Sequence, residues 1–334
     1  MMKQLVKKIS VVILCVLILV TLVGCSGSGG AGSTSQDEES QAKIIQVGTW
    51  KTAQTIQPFY YDQYIEGNKQ VKVLPFTNPG DQKTALLAGD LTMCGTTLVT
   101  AITAASKGEP VVMVSNLCNK CSALVVRKDA GINSVADLKG KTIAYVPGTM
   151  HHVLLLEALQ GAGLDPAKDV TLTRIDFFDM GQALAQGAID AFCSGEPYPS
   201  IALAEGYGQI LSYPYFDDSI GTINAGMLTT REQIDNNREL IQRLVTAHVE
   251  ATEYLNSNKD QWLNKAHEFG TDLQVLEYAV DNMELAWDMD DLFIAQTKKL
   301  TERMKELGVI SEVPDIDQLI DVSFVQQARQ ELGK

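Results

Sequence analysis

The sequence predicts an α/β fold in two domains, and three observations carry that prediction. Short apolar runs alternate with stretches of helical period, the pattern of strands fed by helices and of mostly parallel sheets. About 290 residues follow the N-terminal leader and linker, more than one hydrophobic core readily takes up. One succession of elements also recurs. Leu87-Ala88-Gly89-Asp90-Leu91-Thr92-Met93 and Ala185-Gln186-Gly187-Ala188-Ile189-Asp190-Ala191 each read as a helix end, a glycine stop and a strand. Two lobes built on one plan explain the recurrence; a chance repeat of a common helix-to-strand turn is the alternative.

The elements follow in order. Residues 44–48 and 70–76 read as the first strands, the second by its alternation. Asp81 is expected to cap a helix through Leu87 that stops at Gly89. Residues 91–94 form a strand, and Gly95-Thr96-Thr97 opens a helix ending near Gly108. Residues 111–114 and 123–126 are two more strands, and Ser134-Val135-Ala136-Asp137 has the pattern of a capping box. A strand at 141–146 leads through Gly148-Thr149 into a helix at 150–159. A strand at 170–175, a helix capped by Asp179, a strand at 189–193 and a helix at 197–204 complete the second set. From Thr229 onward only helices are expected. The first is long, with Ile234, Ile241, Leu244, Val245 and His248 on its apolar face. Others start near Asp260, Asp272, Asp290 and Asp315. Trp262, Trp287 and most late aromatics fit these helices as core.

The N-terminus carries a different signal. Lys3, Lys7 and Lys8 precede an apolar run over residues 9–23, broken only by Ser10 and Thr21. A charged start, an apolar centre and small residues at the end describe a secretory signal. An uncleaved anchor is the other reading, but about 15 apolar residues are short for a hydrocarbon core of about 30 Å. The ending Leu22-Val23-Gly24-Cys25 resembles the bacterial lipobox, where a diacylglycerol is attached to the cysteine thiol before cleavage. That resemblance implies a mature protein beginning at Cys25, lipid-anchored on the extracytoplasmic face of the cell membrane. Residues 25–42, rich in Gly, Ser and acids, read as a flexible tether. The formal charge is −14, and three units more negative without the leader lysines. Such a surface argues against nucleic acid or anionic lipid as the main partner, though not against an anion held in a locally positive pocket.

Five cysteines remain after the leader. Cys118-Asn119-Lys120-Cys121 is a single CxxC, open to several readings: a tight disulfide, a redox pair, half a metal site, or plain free thiols. No second CxxC or matching histidine spacing accompanies it, so no metal is expected. Cys94 and Cys193 lie in apolar strand-like runs and read as buried free thiols.

Residues 123–132 (Ala-Leu-Val-Val-Arg-Lys-Asp-Ala-Gly-Ile) and 134–141 (Ser-Val-Ala-Asp-Leu-Lys-Gly-Lys) resemble the crossover into the second lobe of periplasmic solute-binding proteins. The branch is the nitrate/sulfonate/taurine/bicarbonate type, which also contains thiamine-precursor binders. Leu86-Leu87-Ala88-Gly89-Asp90, Gly148-Thr149-Met150-His151-His152 and Gly195-Glu196-Pro197 resemble that family's ligand-turn elements. The resemblance implies a type II periplasmic-binding-protein-like fold, two α/β lobes with the ligand cleft between them. The first lobe comprises residues 43–126 plus 225–334, the second 127–224, with crossings near Val126 and Ala225. It implies a monomeric substrate-binding subunit that closes on a small anionic or zwitterionic solute and delivers it to the permease and ATPase of an ABC importer. A binder of a heterocyclic vitamin precursor and a ligand-sensing receptor subunit are the alternatives.

The residues suggest how such a cleft binds. Helices opening at Asp81, Thr96 and Thr149 should aim free N–H groups between the lobes, an anion site that needs no Lys or Arg. Thr96, Thr97 and Thr149 add hydroxyls, and Thr149 also reads as a plain N-cap. His151, in a first helical turn, is favoured over His152 as a donor to a ligand oxygen. Glu196 reads either as a turn acid at the surface or as an acceptor for an amine or hydroxyl. The second reading suits a zwitterion or a neutral heterocycle. Trp50 stacks on a planar ring or fills core; Phe177 and Phe178 carry the same two readings. The ligand-binding candidates are Trp50, Gln57, Gly95, Thr96, Thr97, Ser122, Thr149, His151 and Glu196, with Cys25 as lipidation site. Some relatives of this fold make a thiamine pyrimidine with a cysteine-rich motif. This chain has no such contiguous motif, no zinc signature and no nucleophile turn. It is read as a binding protein without cofactor, not an enzyme.

Overall fold

A computed structural model describes residues 43–67 and 69–334. The leader, Cys25 and the tether lie outside the described residues. Among those described, no helix is long and apolar enough to cross a membrane.

The chain enters as β1 (Lys43–Thr49), then β2 (Lys69–Pro75), α1 (Pro79–Leu87), β3 (Met93–Thr97), α2 (Leu98–Ser106) and β4 (Val111–Lys120). It crosses at Cys121 into β5 (Ser122–Arg127), followed by β6 (Thr142–Tyr145), α3 (Met150–Gly161), β7 (Thr171–Arg174), α4 (Phe177–Ala185), β8 (Ala191–Gly195), α5 (Tyr198–Ala204) and β9 (Gly208–Ser212). It returns as β10 (Ile223–Thr230) and runs through α6 (Arg231–Ser257), α7 (Lys259–His267), α8 (Leu273–Ala279), β11 (Met283–Leu285), α9 (Asp291–Glu306), α10 (Ile316–Leu319) and α11 (Ser323–Glu331).

Two sheets result, in the orders β11-β4-β10-β3-β1-β2 and β7-β6-β8-β5-β9. They are mixed rather than mostly parallel. Strands joined through helices pair in parallel, as β1 does with β2 and β3, and β6 with β7 and β8. The strands carrying the chain between lobes, β5 and β10, run antiparallel to both neighbours. They enter their sheets without the long crossover connection that parallel pairing demands. β5 belongs to the second sheet throughout, so the outward crossing lies at Cys121, five residues before the expected Val126. The region after Thr229 is helical except for β11, a short edge strand on β4.

The second sheet shows why its strands read as continuous apolar runs. Leu124, Val126, Ile143 and Cys193 face one layer with Leu155 and Leu159 of α3. Val125, Ala144 and Phe192 face the other, with Met180 and Leu184 of α4 and Ala202 of α5. A sheet covered on both faces needs apolar residues at every position. The recurrent segments take corresponding places. α1 and α4 end just before Gly89 and Gly187, both at positive φ, and lead into β3 and β8.

Two helix starts fall earlier than expected. Pro79 occupies the first turn of α1, and the Asn78 side chain, not Asp81, accepts from Gly80 N at 2.8 Å. α4 begins at Phe177 with Asp176 as its N-cap, leaving Asp179 in the first turn. Gly95 and Thr96 belong to β3, and Thr97 caps α2 by accepting from Thr100 N. Thr149, Asp272, Asp290 and Asp315 cap their helices through their side chains. Asn258, not Asp260, is the N-cap position of α7.

Beneath the first lobe's end of the cleft, buried His248 ties three segments. Its Nε2 lies 2.8 Å from Asn116 O and 3.2 Å from Ala286 O, so that nitrogen carries the proton. Its Nδ1 then accepts from Tyr61 OH at 2.9 Å. Burial holds His248 neutral, with its pKa pushed down to about 4. Tyr61→Phe leaves Nδ1 unpartnered in an apolar surround and is expected to destabilise the fold by about 1–3 kcal/mol. Urea denaturation checks this; an unchanged midpoint shows the bond to be dispensable.

Candidate functional site

A cavity of about 340 Å³ lies between the lobes. Trp50–Thr55 follow β1, Pro75–Thr77 follow β2, and Thr97 ends β3. From the second lobe come Thr149 and His151 after β6, Phe177 and Phe178 after β7, and Gly195, Glu196 and Tyr198 from the end of β8. The site therefore gathers the C-terminal ends of the parallel strands of both sheets, where open α/β sheets place ligands. Cys118, Cys121, Asn224 and Ala225 of the crossing strands form its floor, and Phe269 closes one side.

Of the candidates, Trp50, Thr97, Thr149, His151 and Glu196 line this cavity. Gln57 does not: it is buried and its Nε2 donates to Leu117 O at 2.8 Å. Gly95 and Thr96 sit inside β3, outside the lining; a Cβ on Gly95 would come within 2.7 Å of Leu117 Cδ2. Ser122 stands behind the wall, its Oγ 2.8 Å from His151 Nδ1, and so orients that ring. Gly195 makes room for it, since a Cβ there would meet His151 Nε2 at 2.8 Å. His152 turns away and stacks on Tyr145, with ring centroids 4.6 Å apart.

The walls are close to neutral. Burial pushes His151 down to about 4. Glu196, 1% exposed, is pushed up to about 7 by burial, against the opposing effect of bonds from Ser200 and Asn282. Its Oε2 accepts from Ser200 N at 3.2 Å, capping α5, and its Oε1 accepts from Asn282 Nδ2 at 3.3 Å. Among the described residues, Lys51 is the one Lys or Arg in the lining. The rest is largely aromatic: Trp50, Phe76, Phe177, Phe178, Tyr198 and Phe269. Phe177 and Tyr198 stack with planes 10° apart, and His151 meets Phe177 edge-on. Gln54 Nε2 donates to Glu196 O at 2.7 Å, which leaves its Oε1 buried without a partner. Among the described residues, no cluster of three or more His, Cys, Asp or Glu is placed to hold a metal ion.

The lobes are closed on this space. Besides Gln54–Glu196, Thr100 Oγ1 of α2 donates to Gly148 O at 3.0 Å. Asn282 Nδ2 donates to Ser122 O at 3.2 Å. At the rim, Arg303 of α9 pairs with Glu157 of α3 at 2.6 Å and donates to Gln160 Oε1 at 3.1 Å.

Reasoning from sequence missed Asn224, Tyr198 and Phe269 as lining residues. Tyr198 directly follows the recognised Gly195-Glu196-Pro197 turn, so its signal was at hand. Phe269 follows α7, far along the chain, and only tertiary packing brings it here.

Two α/β lobes closed over a cavity at their strand ends are the plan of type II periplasmic-binding-protein-like folds. The chain belongs to the NMT1/THI5-like family, whose model matches residues 60–261. A protein of Escherichia coli K12 named for binding aliphatic sulfonates is 32% identical over 142 residues, 42% of this chain and 43% of that protein. The 4-amino-5-hydroxymethyl-2-methylpyrimidine phosphate synthase of Schizosaccharomyces pombe is 29% identical over 156 residues, 45% of this chain and 44% of that enzyme. The chain thus spans under half the length of these curated relatives. Among solved structures, the alkanesulfonate-binding protein SsuA from Xanthomonas axonopodis pv. citri superposes with a TM-score of 0.74 at 18% identity, covering 84% of this chain and 98% of that one. At that identity the likeness shows the fold.

The titrating groups of the cleft make opposite contributions to stability. His151 has a folded pKa below its unfolded value, so its contribution is full above about pH 6.5 and is lost as pH falls toward 4. Glu196 has a raised folded pKa, so its contribution is full below about pH 4.5 and is lost as pH rises through 7. Glu196→Gln removes that second loss. The variant is expected to gain stability on the parent steadily from pH 5 to pH 8, read from melting temperatures of both proteins. A difference that stays flat with pH shows that Glu196 does not titrate in this range.

Proposed function

We propose that this chain is the solute-binding subunit of an ABC importer, lipid-anchored through Cys25 on the extracytoplasmic face of the cell membrane, and that it acts without catalysis. Its solute is a flat, mostly apolar molecule with a hydrogen-bond donor at one end. The observation that carries the solute class is Gln54 Oε1, buried in the cavity wall beside Glu196 without a partner. A buried acceptor left unmatched is costly, and a donor on the solute satisfies it. Trp50, Phe76, Phe177 and Tyr198 supply faces and edges for a planar ring. A cavity of about 340 Å³ suits a small solute. The aliphatic-sulfonate and pyrimidine names among the relatives support a small organic solute. The monomeric state and the service of a permease and ATPase are part of this proposal.

A second reading is a small anion of the nitrate, sulfonate, taurine or bicarbonate class. It is favoured by the N-termini of α2 and α3, which open at Thr97 and Thr149 in the cavity wall. Thr97 and Thr149 already take the N–H groups of Thr100 and His152, which leaves fewer donors for an anion. A buried carboxyl beside the site also suits a donor better than an anion.

Thermal-shift measurements on protein refolded to strip carried ligand separate the two. The panel sets aminopyrimidines and other flat amino-heterocycles against alkanesulfonates, taurine, nitrate and bicarbonate. A true solute at 100 times its Kd is expected to add about 2.7 kcal/mol of stability. Gln54→Ala is expected to weaken binding of a heterocycle by about tenfold, the equivalent of about 1.4 kcal/mol. Stabilisation by the anions alone would overturn the first reading in favour of the second.

A further inference from the structure

The cleft floor holds a feature that solute binding does not use. Cys118 ends the apolar part of β4, and Cys121 is the residue at which the chain leaves the first sheet for the second. Both are buried and both line the cavity, and the neighbouring Cys118 thiol, together with burial, pushes the Cys121 thiol up. The turn between them is unusual in its backbone. Lys120 and Cys121 have φ of 62° and 71°, in the left-handed region where residues other than Gly are uncommon. Two consecutive residues in that region fold the chain back, bringing two side chains three positions apart into contact.

Cys121 is also the point where the lobes are tied. Its N–H donates to Asn282 O of the first lobe at 2.7 Å, and its carbonyl accepts from Glu196 N of the second at 2.8 Å. Its Sγ accepts from Asn224 Nδ2 at 3.1 Å, and the same amide donates to Lys120 O. Asn224 lies on β10, the returning strand, so this one turn touches both crossings. Cys94 and Cys193 differ: neither lines the cavity.

We propose that Cys118 and Cys121 are a redox-active dithiol in the floor of the cleft, oxidised to a disulfide in the folded protein by an external disulfide, and that oxidation loosens the closure of the lobes. One thiolate attacks a sulfur of the external disulfide, forming a mixed disulfide and releasing one thiolate. The second cysteine thiolate then displaces the other, closing the Cys118–Cys121 bond. Two electrons pass to the external disulfide, and the two thiol protons end on its two released thiols. The new bond draws the two sulfurs together to about 2.05 Å. Cys121 is thereby pulled from Asn224, and its backbone bonds to Asn282 and Glu196 are strained. A secreted protein meets the oxidising surroundings that such a pair requires.

The test exposes the native full chain, in detergent, to oxidised glutathione, then traps free thiols with iodoacetamide and maps the peptides by mass. The expected product is a Cys118–Cys121 link, two daltons lighter than the dithiol, with Cys94 and Cys193 still reduced. Amide hydrogen exchange at Cys121 and Glu196 is expected to quicken by about tenfold on oxidation and to return with dithiothreitol. Cys121→Ser and Cys118→Ala, which cannot form the link, are expected to show no response to the oxidant. Absence of the link, or oxidation of Cys94 or Cys193 at the same rate, overturns the assignment of a reactive pair. A link that leaves exchange unchanged overturns its effect on closure.

Discussion

The peptide groups of one residue bond to both lobes at the point where the chain passes between them. Cys121 gives its N–H to Asn282 in the first lobe and its carbonyl to the Glu196 amide in the second. The chain has no other continuous path outward between the sheets, so any rotation of one lobe on the other must change the dihedrals near this residue. Hinges are commonly a few residues at element ends that absorb such changes. Here the hinge lies within the cavity wall, so the geometry of the site and the angle between lobes are set together.

The chemistry of the cleft follows from where that hinge lies. Strand ends converge on it from both sheets, and with them come helix starts, the turns that follow strands, and their aromatic residues. Glu196 enters this space because its backbone pairs with Cys121 and Gln54 and its carboxyl caps α5. A carboxyl fixed there loses its water, and burial raises its pKa toward neutrality. His151 loses water too and is held uncharged, with Ser122 fixing its ring. The polar groups facing the cavity are thus mostly neutral acceptors and donors of fixed direction, set among rings.

Much of this was legible in local sequence, because it rests on local physics. Caps at Thr149, Asp272, Asp290 and Asp315 depend on one side chain and an N–H two or three residues on. The apolar runs at 123–126 in β5 and 191–193 in β8 announce a sheet covered on both faces. The family motifs around Gly148-Thr149 and Gly195-Glu196 fall on the cavity wall. The errors come from competition or distance. Asp81 and Asp179 are good capping types, but Asn78 before Pro79, and Asp176 before Phe177, start those helices first. The sense of a crossing strand depends on which end of the sheet the chain reaches, which no periodicity encodes. Gln57 has the composition of a ligand contact, yet its amide is taken by Leu117, which a sheet 60 residues on brings beside it. Asn282, which joins Ser122 and Glu196, lies in a helical region with no local mark of its role.

The ion pair at the rim has a different consequence. Arg303 and Glu157 join α9 to α3 outside the cavity lining, and both remain partly open to solvent. Their attraction is therefore screened by dissolved salt, which at 0.15 M acts over about 8 Å. The bonds at Cys121 and Gln54 are buried and feel little of this. Parting of Arg303 from Glu157 therefore carries a dependence on ionic strength that the buried contacts between the lobes do not. A pair outside the cavity lining thus makes part of the contact between the lobes sensitive to salt.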